Sequence, residues 1–339
     1  MKKPRDNEMS ASRINWIDSL KLIGMFYIYL GHLGNDAGKL YLFVFSFHVP
    51  LFFFISGIVF KGSRTKNELL LNTKKSFLSI VVPYIVFSLI GVAFLVIKNQ
   101  IPAEEVSKIL RECFRGIRNN VPLGSLWFLP CLFVVIIYHS VLEVIFKRKI
   151  VIFLIAFMFY IFTPYWWDGV PKLFFNVDSA LYYLVFFSFG YLISDKLKGD
   201  WIAPNNNACR LVSYFILAMS LVVMVTVYYK TTYYLLAGFN ISAVQYVISF
   251  LITVLLFVPS IALAKYLQLP SILMLGRNSL LLCGTEQIIK LTTFSLLSIF
   301  GISYRIVDPI DAVVYTCLCF VLSYFTTLKL YTHIKNKTA

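Results

Sequence analysis

The sequence predicts an all-α, polytopic membrane protein with about ten transmembrane helices and both termini cytoplasmic. Three observations lead there. First, 59% of the 339 residues are hydrophobic and only 14% charged, where a soluble domain carries about a quarter charged residues. The mean hydropathy is +0.78. Second, the apolar residues gather into stretches near the ~20 residues that a helix needs to cross the hydrocarbon layer. Third, Lys and Arg fall unevenly on the segments between those stretches. Disorder is excluded by 32 Phe and 21 Tyr against 16 Gly and 12 Pro. The net charge of +15 is read as cytoplasmic enrichment of basic residues, and no nucleic-acid partner is expected.

The expected spans are 14–33, 41–60, 77–97, 126–146, 150–165, 179–194, 210–229, 241–264, 278–300 and 310–330. The first carries Asp18, Lys21 and His32. In the second, Pro50 removes a backbone donor and should kink or break the helix. Arg64, Lys66, Lys74 and Lys75 precede the third, which contains Pro83-Tyr84. Ser125-Leu126-Trp127-Phe128-Leu129-Pro130 opens the fourth, and Lys147-Arg148-Lys149 follows it. The fifth and sixth are short, with Tyr165, Trp166 and Trp167 at an interface between them. The longest outer segment, 98–125, carries Glu104, Glu105 and Glu112 among its basic residues. Its mixed spacing over 106–117 is that of a short amphipathic surface helix, with a solvated connector as the alternative. No repeat or long linker divides the chain, so 1–339 is read as one domain.

With the N-terminus inside, twenty of the 31 Lys and Arg lie in cytoplasmic segments and ten in outer ones, with Lys21 in the first span. That bias fits an even number of spans in the cell (inner, cytoplasmic) membrane. The basic start of the chain leads into a stretch holding Lys21 and His32, so a cleaved signal peptide is not expected. The six cysteines show no CxxC or Cys/His zinc spacing. No metal is expected.

Ionisable side chains at membrane depth are costly and are functional candidates by default. Asp18, Lys21, His32, His48, His139, Glu143 and Glu286 qualify, with Lys290 near the last. Lys21 and His32 lie eleven residues apart, about three turns, and so share a helix face ~16 Å apart. An amine near the inner surface suits an anionic group from the cytosol, and a deeper imidazole suits proton transfer. The alternative for Lys21 is snorkelling or pairing with Asp18. His48 sits beside the Pro50 break, and broken backbone is tolerated at depth only where protein buries it or a cavity meets it. His139 and Glu143, four apart, are read as satisfying one another. Glu286 and Lys290 have the order favoured for an ion pair; a carboxylate orienting a buried imidazole is the other reading.

These segments, taken in order, resemble the acyltransferase family 3 integral-membrane O-acyltransferases, in particular the branch of fucose 4-O-acetylase-like and enterobacterial O-acetyltransferase-like proteins. The matching residues are Trp16-Ile17-Asp18-Ser19-Leu20-Lys21 followed by ten residues and His32. After them come Phe47-His48-Val49-Pro50-Leu51-Phe52-Phe53-Phe54-Ile55-Ser56-Gly57, Pro83-Tyr84, Leu126-Trp127-Phe128-Leu129 and Gly276-Arg277-Asn278-Ser279-Leu280. Two positions depart from the pattern: Lys21 stands where Arg is commoner, and Glu286 stands where the branch often has His. The resemblance implies transfer of an acyl group, usually acetyl, from cytosolic acetyl-CoA to a hydroxyl of a cell-surface glycan or its lipid-linked precursor. It implies His32 as general base or transient acyl carrier, His48 on the sugar hydroxyl or the acyl carbonyl, and Glu286 tuning an imidazole. Lys21, Lys74 and Lys75 would then hold acetyl-CoA, with Trp127 and Asp18 at the substrate. A transporter or flippase for such a glycan is the rival reading, because intramembrane Lys, His and Glu also build substrate and proton paths. A non-catalytic membrane partner is the third.

Overall fold

The computed structural model describes residues 13–121, 123–167, 169–199, 207–230, 243–302 and 304–328. The terminal basic residues Lys2, Lys3, Arg5, Lys329, Lys335 and Lys337 lie outside these, as do the start of the eighth expected span and the end of the tenth.

Among the described residues the chain is helical, without a strand. The helices are α1 (Asn15–Gly31), α2 (Lys39–Phe45), α3 (His48–Val59), α4 (Lys66–Ser76), α5 (Val82–Ile97), α6 (Val106–Arg115) and α7 (Phe128–Phe146). They continue as α8 (Lys149–Ile161), α9 (Val177–Lys198), α10 (Asn207–Lys230), α11 (Ala243–Tyr266), α12 (Pro270–Arg277), α13 (Ser279–Ile299) and α14 (Pro309–Ser323). Eight helical stretches are long and apolar enough to cross a bilayer. The other two expected spans form shorter helices, α1 with 17 residues and α8 with 13.

The second expected span is broken, but not at Pro50. The interruption falls at Ser46 and Phe47, and Pro50 lies in the first turn of α3, where a missing N–H leaves no partner wanting. Side chains seal the gap: Ser46 Oγ donates to the Phe43 carbonyl at 2.6 Å and His48 Nδ1 lies 2.7 Å from the Val44 carbonyl. The third expected span starts earlier than its apolar run. Thr65 and Glu68 form a capping box that begins α4 in polar sequence, and a π-helical turn at Phe77–Val81 leads into α5. The amphipathic segment does form a helix, α6, whose Cys113 is buried and whose Cys113 carbonyl accepts a hydrogen bond from the Tyr84 hydroxyl on α5.

Two close helix contacts set the core. On α3 and α9, a Cβ added to Gly57 would fall 2.0 Å from the Phe187 carbonyl, and one added to Gly190 would fall 2.1 Å from the Phe54 carbonyl. The backbones touch because both crossing positions lack a side chain, the packing that membrane helices use where no hydrophobic force drives them together. Around this crossing, Phe53 stacks on Tyr183 with centroids 4.5 Å apart, and Phe54 meets Phe257 at 5.0 Å. α1 is the other organising element. It packs against α2, α3, α11, α12, α13 and α14 and buries Leu20, Met25 and Tyr29. The Tyr29 hydroxyl donates to the Leu282 carbonyl at 3.0 Å, tying α1 to α13 one turn before Glu286.

Candidate active site

His32 caps the C-terminal end of α1, its backbone N–H still bonded to the Ile28 carbonyl. There its ring meets Glu286 of α13: Nδ1 lies 2.8 Å from Oε1 and 2.9 Å from Oε2. A carboxylate only accepts hydrogen bonds, so Nδ1 donates in this contact, and in the neutral ring the lone pair is then on Nε2. Lys290, one turn along α13, places Nζ 3.1 Å from Glu286 Oε1 and donates to the His32 carbonyl at 3.0 Å. Its own carbonyl accepts from the Tyr315 hydroxyl at 2.6 Å. Glu286 is buried, and an unpaired buried charge costs several kcal/mol. Lys290 offsets it, and by holding the His32 main chain as well it fixes the ring against the carboxylate. Glu286 therefore contacts both Lys290 and the His32 ring.

His32 opens into a cavity of about 580 Å³ that His48 and Trp127 also line. The His48 ring is buried. Its Nδ1 donates to the Val44 carbonyl, so Nε2 is left as an acceptor. Gly124 lies beside His32; even a Cβ there would sit 3.7 Å from Nε2, so a bulkier side chain would begin to cover the nitrogen that carries the lone pair. Much of the remaining wall is aromatic, with Tyr41, Trp167, Tyr182 and Tyr183. Flat apolar rings with hydroxyl or indole N–H edges suit a ligand with both apolar faces and hydroxyl groups.

A buried corner supports Arg118 and Trp127, which both line the cavity. Phe175 and Asn176, before α9, are both left-handed, with φ of 54° and 55°. Asn176 is completely buried. Its Nδ2 donates to the Gly116 carbonyl at 2.7 Å and the Trp127 carbonyl at 3.3 Å, and its Oδ1 accepts from the Arg118 backbone N–H at 2.8 Å. Arg118 then lies over the Trp127 ring, 5.1 Å from its centroid, and donates from Nη2 to the Gly169 carbonyl at 3.1 Å. On the outer side of this loop, Asn120 and Arg115 both donate to Glu112, at 2.8 and 3.1 Å. The Asn120 hydrogen bond above all holds the Glu112 carboxyl below its usual value.

The remaining candidates are elsewhere. Asp18 is buried at the opposite end of α1, ~21 Å away at 1.5 Å per residue. It takes Arg13 in a two-pronged contact of 2.7 and 3.1 Å, with Lys21 and Arg277 each at 3.5 Å. Lys21 thus does pair with Asp18, yet three cations share one carboxylate and the cluster stays positive. Neither residue lines the His32 cavity. Lys74 and Lys75 are exposed in the last turn of α4. His139 and Glu143 do not pair. Glu143 instead accepts from the Ser63 N–H at 2.6 Å and the Tyr191 hydroxyl at 2.5 Å. His139 is caged by the rings of Phe60, Phe187 and Tyr191, 4.9 to 5.3 Å away.

Sequence reasoning missed Arg118, Asn176 and the bridging role of Lys290. Arg118 looked like one more basic residue of an outer connector, and Asn176 carries no periodic or motif signal. Only the i,i+4 spacing of Glu286 and Lys290 hinted at the third.

A helical, multi-pass membrane protein with a part-buried His–carboxylate pair facing an aromatic cavity is the class that fold and site define. Residues 14–328 match the acyltransferase domain of acyltransferase family 3, and the chain belongs to that family. No curated protein and no solved structure matches it. The family makes the protein a membrane acyltransferase and does not favour the transporter reading.

Proposed function

We propose that this protein transfers an acyl group, most simply acetyl, from acetyl-CoA to a hydroxyl of a cell-surface glycan or its lipid-linked precursor. The observation that carries the proposal is His32 held through Nδ1 by Glu286 with Nε2 free beside a cavity large enough for a sugar. An alcohol is a poor nucleophile near neutral pH, so acyl transfer needs a base at the hydroxyl. In the proposed reaction His32 Nε2 takes the hydroxyl proton as the sugar oxygen forms its bond to the thioester carbon. The carbon–sulfur bond then breaks, and the imidazolium returns the proton to the departing CoA thiolate. Glu286 stabilises the imidazolium, and Lys290 keeps Glu286 ionised between turnovers. His48 accepts from a sugar hydroxyl; its N–H is engaged by Val44, which argues against its polarising the acyl carbonyl. Trp127 offers a stacking face.

The positive cluster of Arg13, Lys21 and Arg277 suits the CoA phosphates, with Lys74 and Lys75 on the same end of the bundle and Asp18 as the anchor that orders the cations. We place this end in the cytoplasm on the charge bias, with ten spans made of the eight long helices and the shorter α1 and α8, in the cytoplasmic membrane. The direct test is release of free CoA thiol from acetyl-CoA by the purified protein in nanodiscs with a mixed extract of lipid-linked glycans. Thiol release with wild type and none with His32→Ala at equal folded amounts is expected. Equal release by both would overturn the assignment of His32.

A further inference from the structure

We infer that the sugar received in the cavity carries a carboxylate, and that Arg118 is the group that binds it. The inference rests on the acyltransferase reading only in taking this cavity as the acceptor site. Among the described residues lining it, Arg118 is the one with a permanent charge, and no Asp or Glu is present. The other cation near the site, Lys290, is committed to Glu286. Glu286 is itself shared between His32 and Lys290.

Arg118 is also held in place before any ligand arrives. Its backbone is bound by Asn176, one guanidinium nitrogen by the Gly169 carbonyl, and its plane lies over Trp127. It is half-buried, and no carboxylate of the described residues pairs with it. A guanidinium has five N–H donors in a rigid fork that matches a carboxylate, and its bonds to the Gly169 carbonyl and the Tyr183 side chain still leave donors of that fork for a ligand. A purely supporting role for Trp127 would need neither the half-burial of an unpaired cation nor its place on the cavity wall. A uronic or other acidic sugar satisfies both surfaces at once, its ring face on Trp127 and its carboxylate on Arg118.

Binding tests this without any acyl donor, so its outcome is separate from that of the CoA-release assay. The full-length protein in nanodiscs is titrated with a glucuronate-containing tetrasaccharide and with the carboxyl-reduced, glucose-containing form of the same molecule. Inorganic pyrophosphate is added as a competitor in a third arm. The acidic form should bind about tenfold more tightly, as one charged hydrogen-bonded pair is worth, with the preference shrinking at high salt. Arg118→Gln should erase the preference, and Arg118→Lys should restore part of it. Equal binding of the two sugars by wild type overturns the inference whatever the variants do. So does a preference that survives Arg118→Gln, or an anion site that takes pyrophosphate and ignores the uronate.

Discussion

At the scale of single residues, the account turns on three side chains from two helices. His32→Ala removes the base and should lower transfer by ~10²–10⁴-fold, the usual contribution of a positioned general base. Lys290→Met tests the clamp. It leaves Glu286 ionised with only a neutral imidazole beside it, so thermal unfolding in nanodiscs should show a loss of about 3 kcal/mol. Turnover should fall with little change in the Michaelis constant, because Lys290 touches no substrate. Lys290→Arg should recover part of both. An unchanged melting temperature in Lys290→Met would show that the buried charge is balanced elsewhere. His32, His48, Trp127 and Glu286 were legible because ionisable and aromatic residues stand out in an apolar chain. Apart from the i,i+4 pairing of Glu286 with Lys290, their partners were not, since Nδ1 meeting Glu286 joins positions 254 residues apart, and Arg118 has the same sequence character as its basic neighbours.

Elements place those side chains. The His32 ring stands where it does because α1 ends at Gly31 and α13 passes close enough for Tyr29 to bond Leu282. The crossing of α3 and α9 fixes the cavity floor from the other side. Gly190→Val would drive a side chain into the Phe54 carbonyl, and such overpacking costs about 1–3 kcal/mol even where helices can shift. Asp308→Ala is the contrast: Asp308 caps α14 through the Ile310 and Asp311 N–H groups at 2.7 and 2.9 Å, and losing the cap should cost ~1 kcal/mol. Melting temperatures of the two variants should therefore fall in that order; the reverse order would mean that the crossing is not a stability centre. Apolar length revealed the spans here, but not their interruptions. The break at Ser46–Phe47 depends on two side chains reaching back to α2, and α4 begins at a polar capping box that hydropathy passes over.

Over the whole molecule, the two ends of α1 divide the labour. One end gathers Arg13, Lys21 and Arg277 around Asp18; the other opens at His32 into the aromatic cavity. That polarity predicts sidedness. In intact cells Asn119→Cys should react with a membrane-impermeant maleimide and Lys74→Cys should not, both in a background with the exposed Cys209 and Cys317 replaced. Labelling of Lys74→Cys from outside would invert the topology. The charge bias is the sequence argument for this orientation, and two of the ten expected spans, α1 and α8, are short helices. The most direct test of the central claim is the base-labile O-acetyl content of surface polysaccharide from cells lacking the protein, carrying wild type, or carrying His32→Ala at matched membrane levels. Acetyl present only with wild type is the predicted result. Equal acetylation in all three, with glycan export lost in the cells lacking the protein, would contradict the acyltransferase account and restore the transporter.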